Sequence, residues 1–375
     1  MSITILNKII ASFALLLMLA TTHAAAASPD LLKAKQETEA KGYIFFSSHD
    51  EIVVMAKKEG KLRVSTGLDK EGFKPLINAF KQKYPFITDT HIEEMAGLDV
   101  HQRFLLEMQS GQAMGWDIAI IPPDFAQEYP PYLKKHDILG MAKQGVLKID
   151  PRMVNPVERN ILSTTSAISA VPYNRKLISE DKVPAKWEDF LKPEFKGKKF
   201  VLDIRPLQLA ALVPAWGLER ALDFARKLAA QQPVWGRGAH RVTAGIAAGE
   251  YSLYCGSNFA VVKRAMSKDP TGSLSYKISE PVPTRTIDQS SAILNTAPHP
   301  HAGLLWLEFL ASPEGQEIID KYEPFGASVY TPGSVVAQEV RGKELSVVDW
   351  NHATKFREYT KKIFAAYGFP KADKK

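Results

Sequence analysis

Apolar residues in this chain recur with two periods, and the points where one gives way to the other mark its elements. Leu62 to Thr66 is a strand candidate that breaks at Gly67. Phe73, Leu76, Ile77 and Phe80 then fall at helical spacing, and their helix ends at Tyr84-Pro85 because proline pushes the preceding residue out of helical geometry. A strand over Thr90 to Glu94 follows, then a helix marked by Val100, Phe104 and Met108 that ends near Gly111. The apolar strand Asp117 to Ile121 stops at Pro122-Pro123. Strand and helix in alternation predict a parallel sheet covered on both faces. Ahead of it, residues 30–59 read as two helical segments. The second opens on Ser48-His49-Asp50-Glu51, an S-x-x-E capping box, and stops at Gly60.

From Ser163 to Asn174 the pattern turns extended, and a second α/β region begins. It holds a strand at Phe200 to Asp203, helices at about 218–230 and 239–248, a Gly249 stop and a strand at Tyr251 to Cys255. A second extended stretch, Ser279 to Leu294, leads back to helices, the most apolar from His301 to Leu310, and the rest of the chain reads as mostly helical. At 375 residues the chain exceeds the roughly 250–300 that one core holds, so two lobes are expected.

The amino terminus adds a compartment. Lys8, the apolar run Ile9 to Ala20 and the small residues Ala24 to Ala27 have the layout of a cleavable secretory signal over residues 1–27. The run is shorter than the ~20 residues of a membrane span. Export to the periplasm is the expectation. Cys255 is the one cysteine, which excludes an intramolecular disulfide, and its apolar setting reads as a buried thiol. The net charge of +7 is spread along the chain, with its densest run at Lys371, Lys374 and Lys375. That distribution fits a solvated surface, and a secreted protein is a poor candidate for nucleic-acid binding.

Several phrases, in this order and spacing, resemble the family 1 extracellular solute-binding proteins of ABC importers, in particular their ferric-iron-binding branch. They are Asp50-Glu51-Ile52-Val53 running to Lys57-Lys58-Glu59-Gly60-Lys61-Leu62, Ala79-Phe80-Lys81-Gln82-Lys83-Tyr84-Pro85, Val171-Pro172-Tyr173-Asn174 and the stretch Trp187 to Lys198. Ala248-Gly249-Glu250, Ala297-Pro298-His299-Pro300 and Phe309 to Gly315 complete the set. The resemblance implies a type II periplasmic-binding fold, two α/β lobes with a ligand cleft between them and two extended hinge crossings. The expected spans are a helical extension at 28–60, a first lobe from 61–165 and 284–375, and a second lobe at 166–283. The implied partners are a small solute and a membrane permease, with the protein a monomer and without cofactor, metal or catalytic residues.

The same resemblance places ligand contacts on loops at strand ends. The matching positions are Thr66, Gly67, Leu68, Pro123, Asp124, Tyr173, Asp203, Arg205, Arg237, Arg241, Ser257, Asn258, Thr284 and Arg285. The ferric-iron branch holds its metal with phenolate oxygens, including a tyrosine pair just after the strand that follows Gly-Glu. Here that place falls at Asn258-Phe259, so the usual iron constellation is missing. Four arginines stand on the cleft loops instead, and a guanidinium fork suits a carboxylate or phosphonate. An organic anion is therefore the expected solute, with ferric iron, a polyamine or thiamine as alternatives. For a cationic solute Asp124 and Asp203 would be the counter-charges. No H-E-x-x-H, G-x-S-x-G, phosphate loop or paired C-x-x-C occurs, and a periplasmic enzyme on the same fold is the competing class. His299 and His301, two apart at a helix start, do not share a face and are not read as a metal pair.

Overall fold

The computed structural model describes residues 28–369 except 69, 96, 123, 124, 288 and 323–325. The expected signal and the candidate residues Pro123 and Asp124 lie outside the described residues. No helix among the described residues is long and apolar enough to cross a membrane.

The first lobe is built on strands β1 (Lys61–Thr66), β2 (Asp89–Glu94), β3 (Ile118–Ile121), β4 (Leu162–Ser163) and β11 (Ser290–Ile293), ordered β2-β1-β3-β11-β4. β1 lies parallel to β2 from Lys61↔Asp89 to Thr66↔Glu94, and parallel to β3 at Val64↔Ile118. All four residues of β3 are buried, as expected of a strand covered on both faces. Helix α3 (Lys70–Lys83) buries Leu76 and Phe80, and Phe80 meets Trp306 edge-on at 5.2 Å. Trp306 belongs to α8 (Pro300–Ala311), in which every residue from Ala302 to Ala311 is buried. Glu308 lies among them because His49 Nε2, at 2.7 Å, and the Lys148 amide, at 2.6 Å, satisfy its carboxylate. Helix α2 (His49–Glu59) starts as the capping box predicts at one end: Ser48 Oγ accepts from the Glu51 amide. The Glu51 carboxylate, however, takes the Ser47 amide rather than that of Ser48.

The second lobe carries β5 (Ala167–Asn174), β6 (Val201–Asp203), β7 (Val234–Gly236), β8 (Ser257–Asn258), β9 (Leu274–Lys277), β10 (Val282–Arg285) and β12 (Leu345–Val348). β5 is central, with β8, β9 and β10 antiparallel to it and β12 parallel beyond β10. Bridges Tyr173↔Leu253 and Val201↔Tyr254 link β5 to β6 and β7 through the segment 253–258. One core packs α5 (Leu218–Ala230) and α11 (Phe356–Ala366) on this sheet through Phe224, Leu228, Ile363 and the following Tyr367. On α6 (Ala239–Ala248) Val242 and Ile246 cover Val201 and Tyr254, and α7 (Phe259–Ser267) adds Phe259 and Val262 beside β5.

Among the described residues three segments run between the lobes, one more than the sequence pattern suggests. The first joins β4 to β5, the second β10 to β11, and the third leads from α9 (Pro313–Tyr322) to α10 (Val335–Glu339). Their buried polar groups bind one another. Gln289 N donates to Thr165 Oγ1 at 2.8 Å, and Val329 N to Ser166 Oγ at 3.0 Å. Gln316 donates to Thr164 O at 3.0 Å and accepts from Ser328 N at 2.7 Å. The span 284–375, read as first-lobe, is thereby divided. α8 and α9 pack on the first sheet, whereas α10, β12 and α11 belong with the second, where β12 pairs with β10 from Val282↔Leu345 to Arg285↔Val348. Helical periodicity reports which face of a segment is buried and is silent on which sheet receives it.

Candidate ligand-binding site

Strand direction sets the candidate loops. β11 leaves the second crossing antiparallel to β3, with Ser290 opposite Ile121, so the carboxyl ends of β1 and β3 lie at the crossings. In the second lobe Ser169, near the start of β5, stands opposite Asn258. The segment leading to β8 runs parallel to β6, so β6, β7 and β8 also end towards the crossings. Open α/β sheets take ligands at the carboxyl ends of their strands. Thr66, Gly67 and Leu68 stand there in the first lobe, and Asp203, Arg205, Arg237, Arg241, Ser257 and Asn258 in the second.

Several of these side chains are already engaged. Tyr173 is 2 % exposed, sits in the second lobe's core opposite Ser275, and lies about 20 Å along β5 from Ala167. It is core, not cleft: every residue of β5 from Ile168 to Asn174 is buried. Leu68 packs in the first core, and its amide donates to Thr66 Oγ1. Ser257 is buried with its Oγ 3.3 Å from Thr243 Oγ1, and buried Thr284 donates to Val282 O. Asn258 Oδ1 caps α7 through the Ala260 amide, and Phe259 is 1 % exposed. Arg285 is half-buried in β10. Gly67 is exposed, and an added Cβ there would lie 3.1 Å from the side-chain oxygen of Gln289, a crossing residue for which the sequence carried no signal.

Asp203 is an organiser of loops and not an open counter-charge. Its carboxylate accepts from the Tyr254 hydroxyl at 3.0 Å, the Gly238 amide at 3.2 Å and the Arg205 amide at 2.8 Å. Its carbonyl accepts from the Tyr367 hydroxyl at 3.4 Å. Burial first, and the neighbouring carboxylate second, push the Tyr254 phenol well above its ordinary pKa, so this ring is a poor source of a phenolate. Arg205 turns back to Asp203 at 3.5 Å.

Arg237 and Arg241 differ: among the described residues neither forms an ion pair or a side-chain hydrogen bond. Both line a recess of about 260 Å³ along α6, bounded by Trp235, Tyr251 and Glu250. The recess depends on Gly236, where a Cβ would lie 2.7 Å from Val201 Cγ1 and 2.8 Å from Val242 Cγ2. Trp235 is held from behind by Phe369 at 4.5 Å and Tyr367 at 5.0 Å. All of the lining comes from the second lobe. Glu250 and Tyr251 were not foreseen as site residues, although Gly249-Glu250 is one of the phrases that carry the resemblance.

Among the described residues no three His, Cys, Asp or Glu side chains are grouped to hold a metal. His299 and His301 point to different carboxylates, Asp117 at 3.1 Å and Glu59 at 2.5 Å. The Cys255 thiol is buried, which raises its pKa.

Comparison with known proteins gives the fold its relatives. Ferric iron-binding protein A of Mannheimia haemolytica, in an open conformation, superposes with a TM-score of 0.64 at 15% identity, covering 82% of this chain and 98% of that one. A GABA receptor, Atu4243, gives 0.60 at 15% identity over 84% and 100%. The substrate-binding protein of an ABC transporter from Agrobacterium tumefaciens gives 0.55 at 16% over 81% and 95%. At such identities the likeness establishes a shared two-lobed periplasmic-binding fold. No curated protein matches in sequence. The family described as bacterial extracellular solute-binding protein matches residues 149–355, from the approach to the crossings through the second sheet and β12. Because that match takes in more than half of the chain, this protein belongs to the bacterial extracellular solute-binding protein family.

Proposed function

We propose that this protein captures a small carboxylate-bearing solute in the periplasm and presents it, as a monomer and without chemical change, to the permease of an ABC importer. The observation that carries the reading is a pair of guanidinium groups, Arg237 and Arg241, that have no partner among the described residues and line one recess at a strand-end loop. A carboxylate there would take charge-assisted hydrogen bonds from two forks, with Trp235 as an apolar wall. Closure of the first lobe about the three crossings would then remove the solute from water and strengthen those contacts.

Relatives of the fold include proteins named for ferric iron and for GABA. Iron is the weaker choice here, since Asn258 caps a helix and Phe259 is core at the place expected for the phenolate pair. The test is calorimetry and thermal unfolding of the signal-free protein against carboxylates, phosphonates, polyamines, thiamine and ferric citrate, with recovery of the bound solute for mass analysis. Carboxylate binding that weakens by about 30-fold or more in Arg241→Ala supports the reading. Stabilisation by ferric iron alone, or a recovered solute that has been altered, overturns it.

A further inference from the structure

The recess that holds Arg237 and Arg241 also holds a negative charge, and the two signs do not neutralise each other. Glu250 lines the same recess, and among the described residues its carboxylate forms no ion pair or hydrogen bond. Its position follows from the end of α6. Gly249 takes φ +80, the Glu250 amide bonds back to Gly245 O at 2.9 Å, and the chain folds over the helix. A Cβ built on Gly245 would stand 3.1 Å from Glu250 Oε2 and 3.0 Å from the Tyr251 ring, so both side chains lie over that glycine. Gly245 is four residues after Arg241, hence one turn along the same helix face, about 6 Å away. The recess thus has a cationic end at Arg237 and Arg241 and an anionic, aromatic end at Glu250 and Tyr251, with Trp235 beside them.

We infer that the solute is a zwitterion: its carboxylate meets the two arginines, and an ammonium several bonds away meets Glu250 against the face of Tyr251. The inference rests on the carboxylate reading above and adds the second charge. A solute carrying only the carboxylate would bring its negative tail towards Glu250. One carrying only an ammonium would bring it towards two guanidinium groups. A molecule with both charges, spaced by roughly one helical turn, satisfies each end, and an aromatic ring beside a carboxylate is a favourable seat for an ammonium. The size agrees. About 260 Å³ is the room of about nine waters at ~30 Å³ each, which suits an ω-amino acid of four to six carbons, a molecule of seven to nine heavy atoms.

The experiment is titration calorimetry on the signal-free protein with glycine, β-alanine, γ-aminobutyrate, 5-aminopentanoate and 6-aminohexanoate, each beside the unsubstituted acid and the unsubstituted amine of equal length. Affinity is expected to pass through a maximum at four to six carbons. There the amino acid should bind at least about tenfold tighter than its matched acid. In Glu250→Gln that ratio should collapse towards one, with the matched acid binding more tightly than it does to the wild type. Unfolding curves of Glu250→Gln, an exposed position, show whether the variant remains folded. A matched acid that equals the amino acid in the wild type, or a ratio that survives in Glu250→Gln, overturns the zwitterion and leaves the carboxylate reading standing. If no member of the series binds, or if Arg241→Ala leaves every affinity unchanged, both readings fall.

Discussion

Gly236→Ala is a single methyl placed where the packing of α6 on β6 and β7 leaves no room for it. The new Cβ would lie 2.7 Å from Val201 Cγ1 and 2.8 Å from Val242 Cγ2, closer than carbon atoms pack. Val201 is 1 % exposed and Val242 5 %, so neither can swing out into water. Relief must come from a shift of α6 away from β6 and β7, and overpacking of this kind costs about 2 kcal/mol. In a lobe of this size that lowers the melting point by about 5 °C. A double-mutant cycle sharpens the test. Val242→Ala alone leaves a gap worth about 2 kcal/mol. In the double variant the alanine methyl at position 236 occupies part of that gap, so the losses should fall short of additivity by about 1 kcal/mol. Thermal and urea unfolding of the four proteins gives the cycle. Because Arg237 follows Gly236 and Arg241 precedes Val242, carboxylate affinity should drop in Gly236→Ala and recover in the double variant. Strict additivity, or a Gly236→Ala protein as stable as the wild type, would refute the packing described for this edge of the sheet.

Three other substitutions test how the extension ahead of β1 is held. Asp137 is fully buried and accepts from Thr38 Oγ1 at 2.9 Å, Gly140 N at 2.7 Å and Arg159 Nη2 at 2.7 Å. Asp137→Ala strands all three donors and should cost about 3 kcal/mol in urea unfolding, against about 1 for Thr38→Ala. Equal losses would mean the carboxylate is not the anchor. His136, 1 % exposed and 6.0 Å from the Phe46 ring, has its pKa pushed down from 6.5 to about 3, by burial first and then by Lys134 and His301. Its native form is neutral, so the unfolded chain binds the extra proton. The stability it contributes is complete above pH 6.5 and is lost as pH falls towards 3. His136→Leu should therefore lose about 2 kcal/mol less than the wild type between pH 7 and pH 5, read from urea midpoints, and parallel pH profiles would contradict this.

What could be read from the chain and what could not divides along a physical line. Local rules acted within a few residues. The helix over 239–248 ends where Gly249 takes a left-handed turn, β3 is a buried apolar run, and the strand at 200–203 is present from Val201. The alternation of strand and helix was enough to imply two α/β lobes, and Asn258-Phe259 already stood where the iron branch needs phenols. Contacts between distant segments were another matter. Tyr173 falls in a phrase the family shares, yet only the strands packed on both sides of β5 show it to be core. Asp203 reads from the sequence as a free counter-charge, and only the fold brings Gly238 and Tyr254 to it from later in the chain, beside the local Arg205 amide. The helices after residue 335 carry an apolar stripe that would suit either sheet, and β12 pairing with β10 selects the second.

Glu250 makes the same point at the site. It stands nine positions after Arg241 in sequence, and only the turn at Gly249 folds its carboxylate back over Gly245 and into the recess that the arginines line. The sequence by itself determined most of the elements, though not β12 or the true place of the strand read at 251–255, and with them the two-lobed class and the absence of the phenolate pair, because propensity, capping and periodicity are properties of neighbouring residues. Tertiary structure alone decided which charges are satisfied and which, among the described residues, have no partner, because pairing depends on what the fold carries across from elsewhere in the chain.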